Sequence, residues 1–201
     1  MSAIMRETCA LYLMGRPNSK IGGAGLIVEV DESLFSKRKS NCGRVLDQQW
    51  VVGGTCRETK QCFMVCVPDR SAETLVKVIS EHVEDGAVIY TDCWKGYSTN
   101  QLQAAGYDHM TVNHKYNFVD PFTGVHTQNV ERMWGTAKWR NKCHRGTKRD
   151  FLDSYLIEFM ARQCATEDPF LWIVKAIADI FPPETVSYKR AKTTDSTYVC
   201  A

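Results

Sequence analysis

The stretch LIVEVDESLF, residues 26–35, limits what this chain can fold into more than any other. Its β-branched, nearly continuous apolar character is that of a strand covered on both faces, which layered α/β architectures provide. Asp31 lies inside it. A carboxylate is disfavoured in a strand, and its burial is costly unless something compensates it. A salt bridge to a core Arg or Lys, or a strand that ends one residue earlier, would explain Asp31 structurally. A bound cation would explain it functionally.

The segments around it complete a sheet. QQWVVGGTCRE and CFMVCVPD read as two further strands joined by the polar turn RETK, forming a meander with the first. SAETLVKVISEHV has apolar residues at 75, 76, 78, 79 and 83 and opens on Ser71, a suitable N-cap, so an amphipathic helix is expected there. AVIYTDCW is a short strand whose apolar run ends at Asp92, KGYSTNQLQAAG a short helix ending at Gly106, and HMTVNHKYNF a fifth strand. After the turn DPFTG comes a helix beginning within HTQNVERMWGTAKW. DFLDSYLIEFMARQC carries apolar pairs at 151/152, 155/156 and 159/160, one helical stripe, and PFLWIVKAIADIF is a last helix begun by Pro169. Strands alternating with helices need layers. The expected fold is α/β: a mixed five-stranded sheet, a three-strand meander plus two further strands, with helices on both faces. Residues 1–20 read as a lead-in, 21–165 as the main domain, 166–182 as a C-terminal helix and 183–201 as a polar tail.

Nine cysteines with no C-x-x-C pair fit reduced thiols in the core better than a disulfide framework or a zinc site. No apolar run approaches the ~20 residues that span a bilayer, and the N-terminus lacks a clear signal-peptide cleavage pattern, so a soluble protein with no membrane partner is expected. The net charge of +2 conceals an asymmetry: residues 132–149 hold seven Lys/Arg and no Asp/Glu, leaving −5 on the remainder. Such a stretch reads as a polyanion-facing surface or as a solvated helix face. A smaller basic run holds Lys37, Arg38, Lys39 and Arg44.

Asp92 repeats the anomaly of Asp31 at the C-terminal end of a strand, where open α/β sheets place ligands. Were the first and fourth strands neighbours, the two carboxylates would converge and repel unless a divalent cation lay between them. Glu131, at the start of the next helix, offers a third acid, although a favourable charge in a first helical turn would account for it equally. Lys138, seven residues on, lies on the same helical face about 10 Å along the axis. Asn129 competes with Glu131 as a ligand but points nearly the opposite way, and is read as an N-cap, with Thr127 the other candidate for that cap. Carboxylates without a His/Cys cage select Mg²⁺ or Mn²⁺, and the chemistry that follows is two-metal phosphoryl transfer with ions about 3.5–4 Å apart. The neighbouring cations Arg132, Arg140, Lys142 and Arg145 would then hold nucleic acid phosphates. Trp134 is expected to pack the helix on the sheet, and Trp139 to lie at the surface.

The runs KIGGAGLIVEVDESLFSKRK, GGTCRETKQCFMVCVPDRSAETL, IYTDCWKGY, VNHKYNFVDPFTGVHTQNVERMW and GTAKW, spread over roughly residues 20 to 162, resemble the catalytic domain of Merlin-type transposases and their bacterial insertion-sequence relatives. The resemblance implies an RNase H-like fold and a DDE metal-binding triad on Asp31, Asp92 and Glu131, with the family's basic residue on Lys138. Some relatives carry Asn for the final Glu; 36 residues separate Asp92 from Asn129 and 38 separate it from Glu131, and HTQNVE aligns better with Glu131. Full-length members carry an N-terminal DNA-binding region, which MSAIMRETCALYLMGRPNS does not supply, so a fragment, a degenerate copy or a transposase-derived host protein is expected. Further implied are two Mg²⁺ or Mn²⁺ ions, DNA partners at transposon ends and target, a homo-oligomer, and a nuclear location in a eukaryotic host or a cytoplasmic one in bacteria. Two other readings stand beside this one: a catalytically silent DNA-binding or interaction module of the same fold, and a nuclease acting on hybrids or junctions.

Overall fold

The computed structural model describes residues 3–15, 20–35, 48–114, 116–143, 149–165 and 168–182. The smaller basic run, Arg145 and the polar tail lie outside the described residues. Strands β1 (Ile27–Leu34), β2 (Trp50–Cys56) and β3 (Cys62–Val67) form the antiparallel meander, and β4 (Val88–Asp92) and β5 (Asp108–Val112) extend it in parallel on the free side of β1. The order is β3-β2-β1-β4-β5, the mixed five-stranded sheet expected. β1 is therefore central, paired on both edges, and its side chains alternate between two covered faces.

One face receives Val28 and Val30 together with Val52 and Ile89, packed against Leu75 and Ile79 of α2 (Ala72–His82) and Leu102 of α3 (Thr99–Ala104). Ser71 caps α2 as expected, its side chain accepting the N–H of Thr74. The other face receives Val51 and Met64, packed against Val130, Met133 and Trp134 of α4 (Gln128–Cys143) and Leu152 and Leu156 of α5 (Leu152–Gln163). Helices thus cover both faces, as their apolar stripes require.

Two expectations differ. No element is expected in residues 1–20, yet α1 (Ala3–Met14) forms and buries Cys9 against Ala161 of α5 and Trp172 and Ile173 of α6 (Pro169–Ile180). Its weak amphipathic pattern conceals it, because a narrow contact with two helices replaces a sheet as its support; the rings of Tyr12 and Trp172 meet edge to face at 4.9 Å. The strand expected over 109–118 ends at Val112, because the carbonyl of Asn113 accepts the N–H groups of Tyr116 and Asn117 and turns the chain. No helix among the described residues is long and apolar enough to cross a membrane.

Trp134 is buried over Gly53 of β2, where a Cβ would meet its ring carbons at 2.7 and 2.9 Å. The ring cannot withdraw, since Phe35 stands at 5.8 Å on another side. Gly53→Ala should destabilise the fold by about 1–3 kcal/mol through overpacking. A urea midpoint within error of the parent protein's would contradict this seat for the helix.

Candidate active site

Alternation along β1 sends Glu29, Asp31 and Ser33 to the face covered by α4. The helix runs beside the strand in step with it. Glu29 Oε2 accepts the backbone N–H groups of Asn129 and Val130 at 2.8 and 3.0 Å, Asp31 Oδ2 accepts the Trp134 indole N–H at 3.1 Å, and Ser33 Oγ meets Lys138 Nζ at 2.5 Å. The match is a consequence of the two rises: nine helical residues advance about 13.5 Å and four strand residues about 13 Å.

β1 and β4 pair in parallel with Ile27 opposite Val88, Val28 opposite Ile89 and Glu29 opposite Tyr90. The ladder stops there; Asp31 and Asp92 each follow two residues on, near enough for the Asp92 charge to act on Asp31. Asp31 Oδ1 accepts the N–H of Glu32 at 2.8 Å and Asp92 Oδ1 that of Trp94 at 2.9 Å. Burial first, and then the charges of Glu32 and Asp92, push the Asp31 carboxyl from 3.8 up to about 7, against the pull of its two hydrogen bonds. The pair is thus a set of hard oxygen donors crowded by burial and like charge, which suits a divalent cation.

Glu131 is not gathered in with them. Its carboxylate lies 3.6 Å from His114 Nε2 and is half exposed. His114 Nε2 also lies 2.6 Å from Thr127 Oγ1, at the entry to α4. Among the described residues no three His, Cys, Asp or Glu side chains stand close enough to hold one metal ion. Asn129 corrects its expected role as N-cap: it is the second residue of α4, and its Nδ2 donates to Glu29 Oε1 at 2.7 Å. The capping acceptor is Glu29, from a strand about one hundred residues earlier.

The basic candidates separate. Lys138 is folded back on β1, with Nζ 5.2 Å from the centre of the Phe35 ring as well as bonded to Ser33. Arg132 lines a cavity of about 200 Å³ with Lys60, Cys62 and Phe159, on the β3 and α5 flank of the helix and not on that of His114. Arg140 and Lys142 belong to the last turns of α4, while Arg145 lies outside the described residues. Trp139 is exposed, as expected.

Sequence reasoning passed over Glu29, Glu32, Arg57, Arg70 and Tyr97. The signal for Glu29 is its two-residue spacing from Asp31, which puts both acids on one face of a buried strand. The charges that satisfy these acids lie far along the chain, and no local pattern announces them.

Residues 21–163, from the bridge before β1 through the end of α5, match the model of the ISXO2-like transposase domain. The chain belongs to that family. The match takes in Asp31, Asp92 and Glu131 of this transposase domain. An uncharacterized transposase-like protein of Haemophilus influenzae is 25% identical over 96 residues, 48% of this chain and 75% of its own length. Among solved structures, the catalytic core domain of BIV integrase is matched over 77% of this chain and 97% of its own, with a TM-score of 0.47 and 11% identity. A chain of the simian T-cell lymphotropic virus intasome is matched over 90% of this chain and 63% of its own, with a TM-score of 0.47 and 12% identity. The HTLV-2 integrase catalytic core domain in complex with magnesium is matched over 77% and 84%, with a TM-score of 0.39 and 14% identity.

The raised Asp31 gives the transposase domain a pH signature. Between about pH 4 and 7 the folded chain keeps a proton on Asp31 that the unfolded chain has lost, so stability without metal falls as pH rises through that window. In chelator, Asp31→Asn should flatten this fall and leave the variant more stable than the parent at pH 8. Urea midpoints at pH 5 and pH 8 measure it, and parallel pH slopes in the two proteins would refute it.

Proposed function

We propose that this chain is a DDE-type transposase domain of the Merlin and bacterial insertion-sequence kind, which hydrolyses a phosphodiester at element ends and joins the freed 3′-hydroxyl to target DNA. The observation that carries the reading is that Asp31 and Asp92 stand on adjacent parallel strands, near enough for one charge to act on the other, with Asp31 beneath the helix that bears Glu131. Asp31, Asp92 and Glu131 would hold two Mg²⁺ or Mn²⁺ ions, Glu131 turning from His114 to do so. When bound, such ions activate the attacking oxygen and stabilise the leaving one.

The chain's own residues prepare the site. The Trp134 indole fixes one oxygen of Asp31 and the Glu32 N–H the other, so the carboxylate is held before any ligand arrives. Burial under α4 excludes water and strengthens each charge interaction there. Lys138 lies beside the far end of β1, where it would meet a phosphate beyond the reacting one; Arg140, Lys142 and Arg145 would carry the flanking backbone, and Arg132, on the other flank of α4, would meet DNA only if it wraps that side. Joining two ends requires more than one copy, so a homo-oligomer on DNA belongs to the reading, nuclear in a eukaryotic host and cytoplasmic otherwise.

Glu131 paired with His114 favours a second reading, a silent DNA-binding module that keeps the fold without assembling the triad. Purified protein incubated with terminal-repeat DNA and Mg²⁺ or Mn²⁺ separates the two. Catalysis predicts nicking and strand transfer that fall at least about a hundredfold in Asp92→Asn. Cleavage surviving that substitution removes the triad, and salt-sensitive binding without cleavage favours the silent module.

A further inference from the structure

We infer that the two acids flanking Asp31 on β1, Glu29 and Glu32, are positioning residues: Glu29 fixes the helix that carries Glu131, and Glu32 fixes the turn that follows Asp92. The inference rests on the reading of Asp31, Asp92 and Glu131 as the metal-holding set.

Glu29 is fully buried. Its Oε2 takes the N–H groups of Asn129 and Val130, and its Oε1 takes Asn129 Nδ2 at 2.7 Å and Arg57 Nε at 2.6 Å. The first N–H groups of a helix have no partner within it, and a carboxylate there also meets the positive end of the helix dipole. Two adjacent backbone bonds and one side-chain bond fix both the height and the rotation of α4, and Glu131 is the residue after the second anchored N–H. Arg57 extends the clamp, donating through Nη2 to the carbonyl of His126 at 2.7 Å while lying 4.7 Å over the Tyr90 ring.

Glu32 does the corresponding work from the opposite face of the sheet. Its side chain is 5% exposed, accepting the Tyr97 hydroxyl at 2.7 Å and Arg70 Nη1 at 3.1 Å. The Arg70 guanidinium lies between the rings of Trp50 and Trp94, 3.9 and 4.4 Å from their centres. Trp94 donates its backbone N–H to Asp92, and Tyr97 donates its own to the carbonyl of Trp94. Gly96 leaves this turn no slack, since a Cβ there would meet the Trp94 indole at 2.7 Å and Leu75 at 2.9 Å. Each flanking acid is paired with an arginine and occupied by donors, so each orients a neighbouring element.

The test uses the full chain without DNA and Mn²⁺ as the probe, read by quenching of tryptophan fluorescence, with Trp134 bonded to Asp31 and Trp94 to Asp92. Asn129→Ala removes one donor from Glu29 and Tyr97→Phe one from Glu32, neither touching a proposed ligand. Each should raise half-saturating Mn²⁺ roughly tenfold, the lower end for residues that orient metal ligands. The double variant should show about the product of the two, since the anchors share no partner. Asn129→Ser, which keeps a donor, should recover part of the loss. Melting temperatures are read alongside: a lowered melting temperature with an unchanged Mn²⁺ midpoint means support of the fold alone and overturns the inference. Abolition of binding by Glu29→Gln or Glu32→Gln in a folded protein, as deep as that by Asp31→Asn, makes them ligands and overturns it too. Should Asp31→Asn bind Mn²⁺ like the parent, or the parent give no response, the metal-site reading fails and the inference falls with it. Normal midpoints in Asn129→Ala and Tyr97→Phe beside a null Asp31→Asn overturn the inference alone.

Discussion

The register between β1 and α4 is the constraint on which the rest of this domain depends. A central strand with both edges paired cannot shift without breaking two ladders, so the side chains it presents are the most firmly placed in the molecule. Glu29 meets the first N–H groups of the helix, Asp31 the indole one turn later and Ser33 the ammonium one turn beyond that. Gly53 lets the helix lie close enough for these contacts, with Trp134 filling the space a side chain would take. Packing and polar bonding therefore specify the same placement, which is what gives a sequence one structure and not several.

Electrostatics explains why an interior would tolerate so many acids. Four carboxylates, Glu29, Asp31, Glu32 and Asp92, sit on two neighbouring strands, yet among the described residues only Glu29 and Glu32 have an arginine as partner. Asp31 is left with hydrogen bonds that do not outweigh its burial, and its carboxyl rises to about 7. Stability alone would favour an apolar residue there. In a domain of the ISXO2-like transposase family, the proposed role of Asp31 and Asp92 in holding a divalent cation would account for a carboxylate kept at such a cost, since hard oxygen donors suit such an ion.

Much of this was legible in the chain, for local reasons. The meander, α2 and its Ser71 cap follow from alternation, helical period and a polar residue at a boundary. Asp31 and Asp92 stood out because a carboxylate inside or ending an apolar strand is costly to bury. What stayed hidden was non-local. Glu29 draws no notice until Arg57 and the start of α4 are brought to it, and Asn129 passes for a cap because its partner lies on another element. The direction taken by Glu131 depends on His114, seventeen residues earlier and beyond the end of β5. Helical spacing relates Glu131 to Lys138 but could not say that the glutamate turns to His114, that the lysine folds back onto Ser33, or that Arg132 lines the cavity beside β3 and α5.

The pairing of helical and extended rises behaves like a vernier, two scales of different pitch that coincide at three marks. A vernier reads true only when neither scale gains or loses a division. One residue inserted between Val130 and Trp134 would swing everything beyond it by about 100° and detach the indole and the ammonium while the anchored end stayed in place. This length of the domain should therefore resist insertions and deletions far more strictly than it resists changes of residue type.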